Sequence, residues 1–308
     1  MVLLYIILAV VSLVIIIIAA EFFIDQATAI SVKYRLSTFL VGFVIVSFAT
    51  NIPEIVMSLY SVGLGHPCLA IGNVVGSNIS NSTLVLGLAA LVHEYKIKTV
   101  DLKLNIPVFF VVIVAVLALI AFNGFSIGPL IGSTTILIFF VSVWMLRSKL
   151  EVTFSPSKTQ LKPLVLIVSV IAIGVFGKLC VDSLLIVSSE LGIGEGILGY
   201  LFLAVGSSTP EIITLLAAGR KGEVAMGLGT ILGSNLINLL VVLGLASYVS
   251  VLDLSGHIFG LAFFVLSTIF IVIFAYTGKK YYFCRKEGVA LILLFVVFAV
   301  CQIFGFAT

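Results

Sequence analysis

The sequence predicts an all-α integral membrane protein, with ten transmembrane helices arranged as two inverted five-helix repeats. Three observations lead to this prediction. The 308 residues are 62% hydrophobic and only 9% charged, a composition typical of proteins with many membrane spans. Apolar stretches near the length of roughly 20 residues that a bilayer requires recur along the whole chain. Polar segments inside these stretches repeat one another at an offset of 157 positions.

The apolar stretches are separated by short loops that carry most of the charged residues. The predicted spans cover approximately residues 2–26, 37–64, 68–92, 104–122, 126–146, 162–187, 194–219, 223–249, 253–277 and 286–306. The longest polar stretch, between Arg147 and Lys162, divides one transmembrane domain into residues 1–150 (spans 1–5) and 151–308 (spans 6–10). No loop is long enough for a nucleotide-binding domain and no GxxxxGK[ST] motif occurs, so ATP-driven transport is not expected.

The basic residues predict the orientation in the membrane. Of the sixteen Lys and Arg residues, all except Lys178 lie in loops that follow odd-numbered spans. The positive-inside rule makes these loops cytoplasmic, so we expect a multi-pass cell-membrane protein with both termini outside the cytoplasm. Each half has an odd number of spans, so the second half enters from the opposite side and the halves are inverted. Such short basic loops set topology and do not predict nucleic-acid binding.

The first repeated motif places a proline and a glutamate inside spans 2 and 7. Residues 47–54 (SFATNIPE) are matched by residues 204–211 (AVGSSTPE). Proline lacks the N–H that a helix uses, so carbonyl groups one turn earlier become free to face a cavity. A carboxylate inside a bilayer is costly, so we expect Glu54 and Glu211 to face an ion, a partner or a cavity. Inversion would bring the two broken regions together near the middle of the membrane.

The second repeated motif lies in spans 3 and 8. Residues 72–81 (GNVVGSNISN) are matched by residues 229–238 (GTILGSNLIN). Polar residues recur every four positions and therefore share one helical face. The glycines form GxxxG pairs, which we interpret as contacts between helices. The polar residues that we expect to face the cavity beside the glutamates are Ser77, Asn81, Ser234 and Asn238.

The chemistry of these motifs predicts a cation site. Carbonyl, hydroxyl and carboxylate oxygens are hard ligands that suit Ca²⁺ and Na⁺. Two glutamates can neutralise one divalent ion, and without a cation they would repel each other, so that one would tend to hold a proton. This favours an exchange of one set of bound charges for another. The four cysteines and three histidines are scattered and form no ligand cluster, and we expect no resident cofactor.

These motifs resemble the cation/Ca²⁺ antiporter superfamily and, within it, the prokaryotic Na⁺/Ca²⁺ exchangers, whose repeats read [G/A]-[T/S]-S-x-P-E followed by G-N-x-x-G-S-N. The resemblance implies a cluster of four ion sites and a sliding of spans 1 and 6 past a fixed core. It implies Ca²⁺ binding by Glu54, Glu211, Thr50 and Ser207. It implies Na⁺ binding, together with the glutamates, by Ser47, Ser77, Ala204, Ser208 and Ser234. Asn81 and Asn238 would complete the middle of the cluster.

Two candidate site residues depart from the pattern of Na⁺/Ca²⁺ exchangers. Asn51 stands where that pattern has serine, and it resembles the GNAxE motif of cation/H⁺ exchangers. Ser208, at the matching position of the second half, keeps the Na⁺-type residue. Asn238 stands where some members carry aspartate, which is associated with K⁺ dependence, so K⁺ co-transport is not expected. The counter-ion is therefore open in one half of the site.

The sequence thus predicts a secondary active antiporter, and not an enzyme, that exchanges Ca²⁺ for Na⁺ by alternating access. The first alternative is a Ca²⁺/H⁺ exchanger. A passive cation channel and an intramembrane enzyme with Glu54 and Glu211 as an acid–base pair are the remaining alternatives. The near-identical surroundings of the two glutamates argue against the enzyme, because such pairs usually have unlike environments. We expect Ca²⁺, Na⁺ and the lipid bilayer as partners and no nucleic acid, and the sequence leaves the oligomeric state open, with a monomer compatible.

Overall fold

The computed structural model describes residues 2–34, 36–92, 95–96, 101–147, 160–190, 200, 204–277 and 282–304. Almost all of these residues are helical. The helices of the first half are α1 (Val2–Tyr34), α2 (Thr38–Thr50), α3 (Ile52–Gly63), α4 (Pro67–Val92), α5 (Ile106–Phe122) and α6 (Pro129–Arg147). Those of the second half are α7 (Pro163–Glu190), α8 (Ala204–Ser207), α9 (Thr209–Arg220), α10 (Val224–Ala246), α11 (Ile258–Thr277) and α12 (Arg285–Ile303).

Several of these helices contain or follow a more loosely wound turn. The helix is π-type over Gly42–Val46 in α2, Asn81–Val85 in α4, Asp101–Asn105 before α5 and Ile237–Val242 in α10. A 3₁₀ turn, Ser255–His257, leads into α11. The π segments of α4 and α10 lie at equivalent positions of the two repeated motifs. Isolated π segments are frequent at functional sites.

Seven of the described helices are long and apolar enough to cross a membrane, namely α1, α4, α5, α6, α10, α11 and α12. They coincide with seven of the predicted spans and support the predicted all-α membrane protein. Predicted span 2 is divided into α2 and α3, and predicted span 6 corresponds to α7. Predicted span 7 contains α8 and α9, but residues 194–199 and 201–203 at its start lie outside the described residues. Most of the predicted boundary between the halves, residues 148–159, also lies outside them.

The first helix is longer than the predicted span. The prediction ends span 1 near residue 26, whereas α1 continues to Tyr34. Glu21 and Asp25, near the predicted end, lie within the helix and pair with the last residue of α9 and the residue after it. Lys221 Nζ lies 2.5 Å from Asp25 Oδ1, and Arg220 Nη1 lies 3.9 Å from Glu21 Oε1. Partners from another helix therefore allow these acidic residues to remain in a continuous helix.

Helices α4 and α10 form the centre of the molecule. All residues from Ala70 to Ser80 and from Ala225 to Leu236 are buried. The broken helices cross between the halves, because α2 packs against α10 and α8 packs against α4. Helices α1 and α7 lie along each other at one side of this centre. The outer surface of α1 carries exposed residues such as Leu3, Leu4 and Ile7, as expected of a surface that faces lipid.

Two glycines allow α2 to approach α10 closely. A Cβ atom at Gly229 would lie 2.3 Å from the carbonyl oxygen of Phe39, and one at Gly233 would lie 2.2 Å from that of Phe43. Any side chain at these positions would therefore collide with the backbone of α2. The interpretation of this GxxxG pair as a contact between helices is confirmed.

Two short ribbons join the halves outside the helices. Strand β1 (Tyr95–Lys96) pairs with β4 (Tyr282–Phe283), and β2 (Ser126–Ile127) pairs with β3 (Leu252–Asp253), both antiparallel. Strands β1 and β3 are 157 positions apart, and β2 and β4 are equivalent to within one residue. Each ribbon therefore contains one strand from each half. The two strands of one ribbon are the repeat equivalents of the two strands of the other.

The glycine contact gives a test with a matched control. We expect Gly229→Ala to lower the free energy of unfolding by about 1–3 kcal/mol, because the added methyl group meets backbone that cannot move aside easily. At the equivalent position, Gly72→Ala would bring Cβ only to 3.7 Å from the Tyr200 ring, an ordinary contact. Thermal unfolding in detergent measures both variants. Equal unfolding temperatures for the two would contradict the proposed close packing.

Candidate cation-binding site

The site is built around two helix breaks of the same geometry. Asn51 interrupts α2 and α3 with φ −82° and ψ 3°, and Ser208 interrupts α8 and α9 with φ −76° and ψ 2°. In each half the next helix begins with a proline in its first turn, as the motif predicts. Glu54 and Glu211 follow in those first turns, where the exposed N–H groups of a helix favour negative charge. Both carboxylates are therefore positioned in the same way, in the first turn of a helix that begins directly after a break.

Both glutamates are completely buried. Their carboxylates are close enough for the charge of one to act on the other. The hydroxyl group of Ser207 neighbours Glu54, and that of Thr50 neighbours Glu211. Each carboxylate thus lies beside a hydroxyl from the opposite half, and that hydroxyl belongs to the residue just before the helix break of that half. The four predicted Ca²⁺ ligands are brought together in this crossed arrangement.

Serines from the central helices extend the cluster. Ser77 Oγ lies 3.0 Å from Ser207 Oγ, which also donates to Asn73 Oδ1 at 3.4 Å. On the other side, Ser234 Oγ lies 3.5 Å from Glu211 Oε1, a long hydrogen bond. The predicted role of these two serines beside the broken helices is therefore compatible with their contacts.

Asn51 contributes hydrogen-bond donors to the same cluster. Its Nδ2 lies 2.7 Å from Ser234 Oγ and 2.6 Å from the carbonyl oxygen of Ser47. Ser47 itself does not direct its hydroxyl to a carboxylate, because Ser47 Oγ donates to the Phe43 carbonyl oxygen at 2.5 Å. Ala204, the equivalent of Ser47, begins α8, and its side chain lies outside the described part of the chain.

Asn81 and Asn238 lie at the π segments of α4 and α10. Asn81 begins the first segment and Asn238 is the second residue of the other. Both side chains are completely buried, and neither amide has a hydrogen-bond partner within the described ranges. A buried amide without partners is unusual in a folded protein. The arrangement leaves two neutral oxygens available for a ligand.

The most informative property of the site is a concentration of buried polar atoms without partners. Buried polar groups are almost always hydrogen-bonded, because an unpaired one loses its water without compensation. The oxygens of the predicted site that lack a partner of normal geometry among the described residues are Asn51 Oδ1, Glu54 Oε1 and Oε2, Asn81 Oδ1, Ser208 Oγ, Glu211 Oε2 and Asn238 Oδ1. Asn78 Oδ1, Ser80 Oγ and Asn235 Oδ1, on the same central helices, also lack one. Two of these groups are carboxylates. Such a collection of acceptors around two negative charges is suited to a cation.

The donor set is restricted to oxygen. Within the described residues, no group of three or more His, Cys, Asp and Glu side chains is placed to hold a metal ion. The two carboxylates therefore act with hydroxyl, amide and carbonyl oxygens. This composition is compatible with hard ions such as Ca²⁺ and Na⁺ and unsuited to soft metals.

Some supporting contacts were not predicted from the sequence. Asn235 Nδ2 donates to Ser82 Oγ at 2.7 Å, which connects α10 to the π segment of α4. Asn73 Nδ2 lies 3.4 Å from Ser58 Oγ on α3. Ser58 lies one turn after Glu54, so its helical spacing was a usable signal. Ser82 gave no such signal, because its partner comes from the other half and its repeat equivalent is Leu239.

Comparison with known proteins extends over nearly the whole chain. The family model described as "Sodium/calcium exchanger protein" matches residues 4–147 and, separately, residues 161–304. The starts of the two matches differ by 157 positions, and so do their ends. This is the offset that separates the repeated motifs, Glu54 from Glu211 included.

Individual relatives cover most of the sequence. The inner membrane protein YrbG of Escherichia coli (strain K12) is 28% identical over 262 residues, which is 79% of each chain. The sodium/calcium exchanger MaX1 of Methanosarcina acetivorans is 27% identical over 337 aligned residues, covering 91% of this chain and 93% of the relative. A solved structure of the sodium-calcium exchanger NCX_Mj is similar with a TM-score of 0.82 and 25% identity, covering 96% of this chain and 98% of that chain.

The contact between Asn235 and Ser82 can be tested by stability. We expect Ser82→Ala to lower the free energy of unfolding by about 1–3 kcal/mol, because the Asn235 amide would lose its acceptor in a buried position. Thermal unfolding in detergent measures the change. Ser250→Ala makes the same substitution at an exposed position and should leave the unfolding temperature unchanged. An unchanged temperature for Ser82→Ala would show that this hydrogen bond contributes little.

Proposed function

Because the chain belongs to the sodium/calcium exchanger protein family, within the cation/Ca²⁺ antiporter superfamily, we propose that it exchanges Ca²⁺ for Na⁺ across the cell membrane. The family consists of transporters, and the chain is a cation/Ca²⁺ antiporter. We propose neither an enzymatic activity nor a resident cofactor. The observation that carries the proposal is the pair of buried carboxylates surrounded by oxygens without partners. Their two negative charges would balance one Ca²⁺.

The ligand assignment follows the crossed geometry of the site. Ca²⁺ takes about six to eight oxygen ligands and tolerates irregular geometry, so carboxylates and neutral oxygens can share it. The ligands that we propose for Ca²⁺ are Glu54, Glu211, Thr50 and Ser207. With the glutamates, the residues that the family resemblance assigns to Na⁺ are Ser47, Ser77, Ala204, Ser208 and Ser234. Asn51 replaces a serine of that pattern, and we propose that Na⁺ binds among the others. Asn81 and Asn238 would complete the cluster between the carboxylates.

We also propose the complete membrane architecture. Ten spans would form two inverted halves, residues 1–150 and 151–308, with α2 and α3 as span 2 and α8 and α9 as span 7. The double family match at one offset, the crossing of α2 onto α10 and of α8 onto α4, and the exchanged ribbons support this arrangement. The distribution of basic residues supports extracytoplasmic termini.

Alternating access in such a fold requires one group of helices to move against another around the ion site. Helices α1 and α7 are the candidates, because they pack along each other beside the centre formed by α4 and α10. Both carboxylates come from one chain, so a monomer would suffice for transport, with lipid and the transported ions as its partners.

The counter-ion is the finer part of the proposal. Ser208 keeps the residue of the Na⁺/Ca²⁺ pattern, and MaX1 and NCX_Mj carry the name of sodium/calcium exchangers. These observations favour Na⁺. The second candidate is H⁺, which is favoured by Asn51 and by two carboxylates close enough to share a proton.

Transport in proteoliposomes distinguishes the candidates. We expect an imposed Na⁺ gradient, without a pH gradient, to drive ⁴⁵Ca²⁺ uptake, because the two ions would compete for the same carboxylates. Uptake that requires a pH gradient and ignores Na⁺ would replace Na⁺ with H⁺ as the counter-ion. Equal Ca²⁺ flux without either gradient would indicate a channel.

Charge removal tests the carboxylates. We expect Glu54→Gln and Glu211→Gln each to abolish Ca²⁺ exchange, by at least about 100-fold, because losing one charge of a buried ion site costs about 3 kcal/mol or more. The carboxamide keeps the shape of the side chain. Glu190→Gln, at an exposed position near the end of α7, serves as the control and should transport normally. Near-normal exchange by either site variant would refute the ligand assignment.

A further inference from the structure

The two helix breaks have the same backbone geometry but carry different side chains, Asn51 and Ser208, with different hydrogen bonds. At the first break, Asn51 Nδ2 lies 2.6 Å from the Ser47 carbonyl oxygen and 2.7 Å from Ser234 Oγ. A carbonyl oxygen can only accept a hydrogen bond, so the atom that contacts it must be the NH₂ group of the amide. The side-chain donors of Asn51 are therefore directed at two oxygens of the site.

The Ser47 carbonyl oxygen has no free capacity in this arrangement. The Ser47 carbonyl oxygen also accepts from the Asn51 backbone N–H at 3.0 Å and from Thr50 Oγ1 at 3.2 Å. The Ser47 hydroxyl donates to the carbonyl oxygen of Phe43. Three donors on one carbonyl exceed its two lone pairs, so a cation has no acceptor left to bind there.

The second break lacks this donor. Ser208 stands at the position of Asn51, and its buried hydroxyl has no partner among the residues that the structure describes. Ser77, the equivalent of Ser234, bonds to Ser207 instead. A serine hydroxyl is also too short to span the distance that the Asn51 amide bridges. The second break therefore keeps a buried hydroxyl oxygen, Ser208 Oγ, that is available to an ion.

We propose that the Asn51 amide group takes the place of one Na⁺, so that this chain binds one Na⁺ fewer per Ca²⁺ than it would with serine at position 51. This inference rests on the proposed exchange of Ca²⁺ for Na⁺. The hydrogens of the NH₂ group carry partial positive charge. The nitrogen lies 2.6 and 2.7 Å from its two oxygens, almost as near as a small cation would lie, which is about 2.3–2.6 Å for Ca²⁺. An ion that entered would have to displace the NH₂ group and leave its donors unpaired in a buried site.

The other end of the same side chain has the opposite role. Asn51 Oδ1 is buried and has no hydrogen-bond partner in the described part of the protein. It supplies a neutral oxygen to the proposed ion site, while Nδ2 occupies the proposed position of the missing Na⁺. Asn51 is thus a specificity-determining residue. One fewer Na⁺ per cycle also means one fewer positive charge moved against each Ca²⁺.

The stoichiometry can be measured at equilibrium in proteoliposomes. With the membrane potential held at zero, the slope of log Ca²⁺ ratio against log Na⁺ ratio equals the number of Na⁺ exchanged per Ca²⁺. We expect Asn51→Ser to increase this slope by one. Asn123→Ser, in an exposed turn where Asn123 Nδ2 bonds Ser126 O at 2.7 Å, makes the same change elsewhere and should keep the wild-type slope. Equal slopes for wild type and Asn51→Ser, both driven by Na⁺, would overturn the inference.

A binding measurement separates this inference from the proposed function. If a Na⁺ gradient moves no Ca²⁺ through the wild type, Na⁺ coupling itself has failed. Equilibrium ⁴⁵Ca²⁺ binding to the solubilised full chain, at increasing Na⁺, then gives the number of Na⁺ that displace one Ca²⁺. Asn51→Ser should raise that number by one, and an unchanged number would overturn the inference.

The reverse substitution at the equivalent break, Ser208→Asn, gives a second test in case Asn51→Ser does not fold. Ser208→Asn introduces an amide at the equivalent break, where it should take the place of a second Na⁺. We expect the number of Na⁺ that displace one Ca²⁺ to fall by one relative to the wild type. A wild-type number for Ser208→Asn would also count against the inference, because the two breaks share their backbone geometry.

Discussion

The structure depends on holding two carboxylates close together in a place that excludes water. Glu54 and Glu211 repel each other, and burial removes the solvent that would screen them. Other parts of the fold reduce this cost. The helix breaks put each carboxylate at the beginning of a helix, where N–H groups favour negative charge. The surrounding hydroxyl and amide oxygens cannot neutralise the pair, so the charge has to be balanced by protons or by the metal cation that we propose to bind there.

The crossed packing of the halves explains how the carboxylates meet. Helix α2 could not approach α10 closely enough if Gly229 and Gly233 carried side chains. The same close approach brings Ser234 within reach of Asn51. A contact between helices and the composition of the ion site are therefore not independent. Gly229 and Gly233, which allow the close packing, thereby also bring polar groups from both halves into the site.

Much of this arrangement could be predicted from the sequence, because its signals are local or repeated. A proline followed by a glutamate inside an apolar stretch indicates both a broken helix and a reason for it. The contacts of Asn51 with Ser234 and of Asn235 with Ser82 could not be predicted, since the repeat indicates which segments of the two halves meet but not which side chains bond to each other. The continuation of α1 past Asp25 was missed for a similar reason, because its partner Lys221 lies just after α9, in the other half. The two-residue strands are too short to leave a pattern.

The exchange of helices between halves also has a consequence for biogenesis. Glu54 is synthesised 157 residues before Glu211, and α10, the helix that covers α2, emerges later still. During that interval the nascent first half has to keep a carboxylate in or near the bilayer without its final neighbours, which is costly unless water or a temporary partner reaches it. Chain elongation therefore creates an intermediate in which Glu54 needs water or a temporary partner until α8 to α10 are synthesised.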